Sequence, residues 1–402
     1  MLTGCVEEYE AELPESETNL LVVNGTICSN QYNSFQLTWS TSLNNTINAT
    51  EKDGYYDYYS SSYISDEKEP QPVYGARVTV CGTDGSEYEC WDVGADYGIA
   101  TGVYSNYIPE LDSNVSYYLT IQCNGEIYQS TPEKPICTPD IERLEYFQKD
   151  SLSNVEILLT SAAPDDPDKT TYYTWDYSET WEIRPARTTR MYFDVEKMSK
   201  VDVYDRLLYP ERGWKFGHNE TILTGSTAHY ADAKFSKFQL MDIPRYDERV
   251  SWYYCFDLTQ RAISKAEYEY EIACRQAGWE MGGLFTPQPS ALPTNIRCLT
   301  SSKRAIGYVG CSQNVSMRRL YIDGTKISRI LPGPASFIKF DDCSEIDCLY
   351  MVERGYVLYG WDDGRMIQQP LSTFWGYPED FDVRLHGATE YKPYYMPPFD
   401  EE

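Results

Sequence analysis

The chain has 402 residues, and its net charge of −28 at pH 7 argues against a nucleic-acid partner, whose phosphates it would repel. A mean hydropathy of −0.53 and the lack of a long apolar run exclude a transmembrane helix. The length predicts two or three domains rather than one core.

The first residues carry a motif with the form of a bacterial lipobox. Leu2-Thr3-Gly4-Cys5 is an apolar residue, two small residues and a cysteine, so we expect a diacylglycerol lipid on Cys5. Such a multi-chain lipid is enough for stable membrane anchoring. Residues 1–19 therefore predict a lipid anchor followed by an acidic tether, which cannot bury apolar surface. The alternative is an ordinary cysteine in a chance match, because the motif is short.

Short strands separated by turns follow from Leu21 onward. Residues 21–28 and 35–39 alternate with a period of two, and Asp84-Gly85 and Asn124-Gly125 are hairpin-turn pairs. About seven such strands predict an immunoglobulin-like β-sandwich over residues 20–139. A proline-rich stretch then marks a domain boundary near residue 139.

Residues 53–70 interrupt this pattern and have no core periodicity, so they predict a long exposed loop. Tyrosines in loops form recognition surfaces in antibodies, and this segment is therefore a candidate contact surface for a ligand or partner. An insertion without a partner is the alternative. The candidate contact residues are Tyr55, Tyr56, Tyr58, Tyr59 and Tyr63.

Residues 140–402 predict a larger β-rich domain with one clear helix. Residues 172–183 alternate aromatic and polar side chains, which we interpret as buried strand aromatics, with a binding site as the alternative. Ser264-Lys265-Ala266-Glu267 is a capping box, and Gly282-Gly283 ends the pattern, so a helix is predicted near residues 264–281. The proline- and tyrosine-rich tail, residues 391–402, is predicted to lie on the surface.

Twelve cysteines are present, and eleven remain when Cys5 is set aside, so at least one thiol is free or paired elsewhere. If residues 297–311 form a hairpin, Cys298 and Cys311 are disulfide candidates. Cys343 and Cys348 could close a small loop. A zinc site is the rival interpretation, but no Cys-x-x-Cys pair occurs and only three histidines are present. No metal site is predicted.

Several segments, taken in order along the chain, carry a resemblance to a known family. They are 21–25, 75–78, 172–182, the helix from Ser264 with 283–290, 294–296, 306–308, 318–322, 382–389 and 392–395. Together they resemble a family of Bacteroidota outer-membrane lipoproteins. That family carries only a domain-of-unknown-function label, and its members are found beside TonB-dependent receptors. The region 20–139 is also similar to carboxypeptidase-regulatory-like sandwiches.

The resemblance implies a lipid-anchored outer-membrane protein that faces the cell exterior. It implies a TonB-dependent β-barrel receptor as the partner, with peptide, glycan or metal-complex cargo, and it implies no cofactor. We therefore predict a non-enzymatic accessory or ligand-capture protein. An adhesin or structural surface protein is the alternative. A carboxylate-based hydrolase is a third hypothesis, because 62 acidic residues cannot exclude a catalytic pair.

Overall fold

The computed structural model describes residues 20–40, 71–95, 101–166, 170–219, 221–276, 292–331, 336–362 and 372–397, and the backbone alone of 54–57, 62–65 and 277–279. Strands dominate the regular structure, which confirms the mainly β fold predicted from the sequence. Two α-helices lie in this part of the chain, and neither is long and apolar enough to cross a membrane.

The elements are numbered in chain order. The strands up to residue 130 are β1 (Leu21–Cys28), β2 (Gln31–Trp39), β3 (Gly54–Asp57), β4 (Ser62–Ser65), β5 (Gln71–Pro72), β6 (Arg77–Gly82), β7 (Glu87–Glu89), β8 (Trp91–Asp92), β9 (Val103–Ile108), β10 (Tyr117–Cys123) and β11 (Glu126–Ser130). The strands from residue 141 to 263 are β12 (Ile141–Phe147), β13 (Val155–Ser161), β14 (Tyr172–Ile183), β15 (Met191–Asp194), β16 (Ser199–Asp202), β17 (Gly213–His218), β18 (Leu223–Ser226), β19 (Phe238–Ile243) and β20 (Tyr253–Ile263). The remaining elements are α1 (Lys265–Trp279), β21 (Ile296–Cys298), β22 (Ala305–Ser312), β23 (Ser316–Asp323), β24 (Ile338–Asp341), α2 (Glu345–Glu353), β25 (Val357–Asp362) and β26 (Ser372–Gly376).

Two sheets that share one core form the first unit. One sheet has the order β22-β1-β2-β9-β8 with β5 beside β2, and the other has the order β21-β11-β10-β6-β7. Their inward side chains, among them Phe35, Leu37, Val80, Leu119 and Tyr128, are buried together between the sheets. This arrangement is a β-sandwich, and its immunoglobulin-like character stays a prediction.

Both hairpin turns predicted in this unit are present. β6 pairs antiparallel with β7 around Asp84-Gly85, and β10 pairs antiparallel with β11 around Asn124-Gly125. Asn124 and Gly125 have φ angles of 50° and 78°. These left-handed values are those that a two-residue hairpin loop requires, which explains the Asn-Gly pair.

Two strands from beyond α1 complete the first unit. β22 lies parallel to β1, with Leu21 beside Ala305 and Cys28 beside Ser312, and β21 pairs antiparallel with β11. The boundary expected near residue 139 therefore does not separate all strands of the two predicted domains. The chain leaves the first sandwich after β11, forms β12 to β20 and α1, and then returns to the sandwich with β21 and β22.

This return overturns the predicted hairpin over residues 297–311. β21 and β22 lie in different sheets, so Cys298 is opposite Tyr128, whereas Cys311 is beside Ile27. Cys298 and Cys311 are therefore not cross-strand neighbours, and the disulfide between them loses the hairpin on which its prediction was based. By contrast, the Sγ atoms of Cys343 and Cys348 lie 3.5 Å apart in a buried contact. That pair is unbridged in this structure and stays a prediction.

The described residues from 140 onward form two larger cores and a small cluster of Trp214, Cys255 and Met396. The sheet β12-β13-β19 packs on the sheet β17-β14-β20-β23, with β18 beside β14. The sheet β24-β26-β25 packs with α2 and the β15–β16 pair around Trp375. Tyr173, Trp175 and Trp181 of β14 lie in the first of these cores, which confirms that the aromatic block serves packing.

The tyrosine-rich segment contains regular structure where a loop was predicted. β3 and β4 form an antiparallel pair in which Tyr56 is opposite Tyr63 and Tyr55 is opposite Ile64. The loop prediction is therefore wrong for these residues. Their backbone N–H and C=O groups are paired with each other across the two strands. Tyr58 and Tyr59 lie outside the described residues, as do the side chains of Tyr55, Tyr56 and Tyr63.

The carboxy-terminal segment lies on the surface as predicted, at least as far as residue 397. The side chain of Tyr394 is 97% exposed. The segment is nevertheless anchored, because Tyr395 and Thr180 share a hydroxyl hydrogen bond of 2.8 Å and Met396 is buried.

Candidate functional site

A cavity of about 650 Å³ lies where the first sandwich, β14, β20 and α1 meet. This volume is within the range of small-molecule sites in proteins. Its walls combine apolar side chains from β1 and β18 with ionisable and aromatic side chains from the other elements. The ionisable and aromatic residues used below are Asp176, Arg261, Glu267, Tyr270, Glu271 and Tyr308.

The helix α1 turns one face towards this cavity. Glu267, Tyr270, Glu271 and Cys274 all line it, and their spacing of three and four residues places them on one side of a helix. The hydroxyl of Ser264 accepts a hydrogen bond of 3.1 Å from the backbone N–H of Glu267, which confirms the predicted helix start. The side chain of Ser264 therefore caps the helix start, while the side chain of Glu267 is turned to the cavity.

Arg261 is the cation of the cavity and is held by β20. Its backbone pairs with Thr174 of β14, and its Nη2 atom lies 2.8 Å from Oε1 of Glu267. Glu271 is a more distant partner, with its Oε1 atom 3.9 Å from the same nitrogen. One guanidinium group thus serves two carboxylates in a region where each side chain is at most 14% exposed.

A glycine on β22 makes room for this ion pair. A Cβ atom on Gly310 would lie 2.6 Å from the Cδ atom of Glu267, which is far inside van der Waals contact. The absence of a side chain at residue 310 therefore allows the carboxylate of Glu267 to pack on the sandwich while it binds Arg261.

The electrostatic environment changes the acidity of Glu271. Burial, followed by the nearby charge of Glu267, raises the pKa of Glu271 to about 7, although Arg261 opposes the shift. Glu271 can therefore gain or lose a proton near neutral pH, which is a property of groups in functional sites.

A second buried carboxyl group adjoins the cavity through Tyr308. The Tyr308 hydroxyl donates a hydrogen bond to Glu133 and lies 3.2 Å from the hydroxyl of Ser264. Burial raises the pKa of Glu133 to about 7, against the effect of this hydrogen bond. The loop after β11, strand β22 and the start of α1 are thus joined by one polar contact set.

The raised pKa values of Glu133 and Glu271 predict that the stability of the fold falls as the pH rises. Between the ordinary glutamate pKa of 4.5 and the folded value of about 7, the folded chain keeps protons that the unfolded chain has lost. The free energy of unfolding should therefore decrease across this window, by on the order of 1–3 kcal/mol for Glu271. Urea denaturation from pH 4.5 to 8 measures it.

The variant Glu271→Gln should flatten this pH dependence, since glutamine mimics the protonated carboxyl group. Glu269→Gln is the matched control, because Glu269 lies on the same helix with its side chain 61% exposed. An unchanged slope in Glu271→Gln would contradict the assignment of the proton to this residue.

The cavity thiols are poor nucleophiles. Cys28 and Cys274 both line the cavity. Burial raises the pKa of Cys28 to about 11 and also raises the pKa of Cys274. Both groups therefore remain protonated near neutral pH, and a thiol at this acidity is unreactive.

None of the predicted site residues is among those that line the cavity. Cys5 lies outside the described residues, and the three histidines, His218, His229 and His386, are all exposed. Glu267 does line the cavity, but the capping box identified it for its helical role alone, and Trp175 of the aromatic block lines it as well. In the described ranges, no group of three or more His, Cys, Asp or Glu side chains could hold a metal ion.

Sequence reasoning did not find Arg261, Glu271 or Glu133. The spacing of Glu267 and Glu271 by four residues was a usable signal that both carboxylates share one helix face. Arg261 stands in a strand 128 residues after Glu133 in the chain, and no local pattern connects these two residues.

Residues 6–318 match the sequence model of a family described as a domain of unknown function, DUF4249. No curated protein matches the chain.

Proposed function

Because this chain belongs to the DUF4249 family, which has no assigned function, we propose from its cavity and its amino-terminal motif that it captures a ligand at the cell surface. In this proposal it is a non-enzymatic accessory protein of a TonB-dependent outer-membrane receptor. The observation that carries the proposal is the cavity of about 650 Å³ with ionisable walls between the units.

The construction of the cavity supports ligand capture. Small-molecule sites commonly lie between structural units and combine apolar walls with a few polar groups. Here Val22 and Leu223 supply apolar surface, while Arg261, Glu267 and Glu271 supply charge. Buried charges are costly unless they are paired or serve a role, so an ionisable cavity of this size favours a binding site over a packing defect.

The location rests on the sequence. The lipobox form of Leu2-Thr3-Gly4-Cys5, the acidic residues that follow it and the resemblance to Bacteroidota lipoproteins support a lipid-anchored protein on the outer membrane, facing the exterior. Peptides, glycans and metal complexes remain the cargo classes that this location suggests.

The test is extraction of native outer membranes in mild detergent with an affinity tag after Glu402, followed by mass spectrometry. We expect lipid on Cys5 and a β-barrel receptor in stoichiometric amounts. The variant Cys5→Ser is the control, because it removes the lipid-bearing thiol and leaves the described residues unchanged. A lone lipidated protein would contradict the accessory role and favour adhesion.

One observation favours a hydrolase as the second candidate. Glu267 and Glu271 share the cavity, and a carboxyl group with a pKa of about 7 suits general acid catalysis. Hydrolysis of peptides or glycans by purified protein, abolished by Glu271→Gln, would favour this candidate over capture. Hydrolysis that survives Glu271→Gln would place any catalysis outside the cavity.

A further inference from the structure

Two charged groups in the cavity wall are incompletely satisfied. The Nη1 atom of Arg261 and the Oε2 atom of Glu271 are buried, and neither has a hydrogen-bond partner among the described residues. The side chain of Arg261 is 13% exposed. A buried donor or acceptor without a partner costs about 1–3 kcal/mol, and more when it is charged. The two atoms therefore indicate a ligand that supplies an acceptor to one and a donor to the other.

The two side chains are neighbours. Nη2 of Arg261 and Oε1 of Glu271 are 3.9 Å apart, so a ligand that meets both must carry its acceptor and donor close together. A carboxylate matches the planar guanidinium group, and an ammonium group matches a carboxylate. The head group of a free α-amino acid places a carboxylate and an ammonium on one carbon atom.

The remaining walls suit the rest of such a molecule. The rings of Tyr270 and Tyr308 are 5.6 Å apart, and Val22 and Leu223 add apolar surface. Asp176 is exposed at the cavity. The lining therefore holds three carboxylates and one guanidinium, which disfavours ligands with a net negative charge.

We infer that the cavity binds a free α-amino acid by its head group, with the carboxylate on Arg261 and the ammonium on Glu271. This inference rests on the proposed capture function. The two unsatisfied atoms are covered from solvent, so the head group reaches them as the two flexible side chains rotate. Glu267 stays bound to Nη2 of Arg261 and thereby holds the guanidinium group in place.

The experiment is a thermal-shift screen of the full chain with each of the twenty L-amino acids, followed by titration calorimetry of the strongest binder. Its amide lacks the carboxylate, and its N-acetyl derivative lacks the ammonium. We expect both derivatives to bind at least about tenfold more weakly than the parent.

The variant Glu271→Gln should weaken binding of the parent to a similar extent, and Glu269→Gln on the outer face of the helix should not. Binding should also strengthen from pH 6 to 8 as Glu271 loses its proton. Arg261 and Tyr270, together with Asp176, Glu267, Cys274 and Tyr308, are the other ionisable groups around it, and Arg261 stays charged over this range.

The inference is overturned if no amino acid binds or if both derivatives bind as well as the parent. The capture function is tested separately, by screening short peptides and glycans against wild type and Glu271→Gln. If no amino acid binds, a peptide or glycan that binds only the wild type would sustain capture and exclude the amino-acid assignment. If no probe binds and no receptor is recovered with the protein from detergent-extracted membranes, both the amino-acid inference and the capture function are excluded.

Discussion

Replacement of Gly307 by alanine is expected to lower the free energy of unfolding by about 3 kcal/mol or more, which is at the severe end for one substitution. Gly307 stands beside Val23 where β22 runs parallel to β1, and its φ angle is +126°. A Cβ atom there would lie 3.0 Å from the carbonyl carbon of Val23 and closer still to its oxygen. The neighbour is backbone, so no side-chain rotation relieves the contact.

Gly85→Ala is the matched control for Gly307→Ala. Gly85 has a φ angle of +90°, but a Cβ atom there meets nothing within 4 Å. The free energy of unfolding of Gly85→Ala should therefore fall only by the conformational cost of about 1–2 kcal/mol. Urea denaturation of both variants separates the two effects. Equal losses would show that the strands move apart to accept the methyl group.

Arg261→Gln is expected to lower the free energy of unfolding by about 3–5 kcal/mol at pH 7, because it leaves buried carboxylates without their cation. Glu267 loses a partner at 2.8 Å, and Glu271 loses the charge that opposes its raised pKa. The loss should shrink at pH 5, where Glu271 is protonated. Urea denaturation at the two pH values measures both expectations.

The control for Arg261→Gln is Arg318→Gln. Arg318 is exposed on β23, next to β20, and its loss should change stability by no more than about 0.5 kcal/mol. The double variant of Arg261→Gln with Glu267→Gln should lose less than the sum of the single variants, since the pair acts as a unit. Additive losses would contradict the ion-pair interpretation.

Local patterns in the chain were sufficient for the elements that local physics decides. Alternation predicted the strands, because a half-buried sheet needs a period of two. Asn124-Gly125 predicted its hairpin, because few other residues adopt two left-handed conformations in succession. Ser264 and Glu267 predicted the start of α1, because the cap satisfies backbone groups within one turn.

The errors came from contacts between distant segments. Residues 297–311 have the strand and turn composition of a hairpin, yet β21 and β22 pair with β11 and β1 instead. Both strands thereby bury their inward faces in the first sandwich. The pairing partner of a strand depends on which apolar faces elsewhere in the chain remain uncovered. A local sequence pattern does not contain this information.

The sequence by itself determined the class of fold, the aromatic core of β14, the start of the helix at Ser264 and the acidic character of the chain. Only the tertiary structure decided the parallel pairing of β1 with β22, the need for glycine at residues 307 and 310, and the meeting of Arg261 with Glu267 and Glu271. The physical reason is the distance along the chain over which each interaction acts. Periodicity and capping act over a few residues, whereas the cavity and its acidities arise when strands and a helix distant in sequence exclude water together.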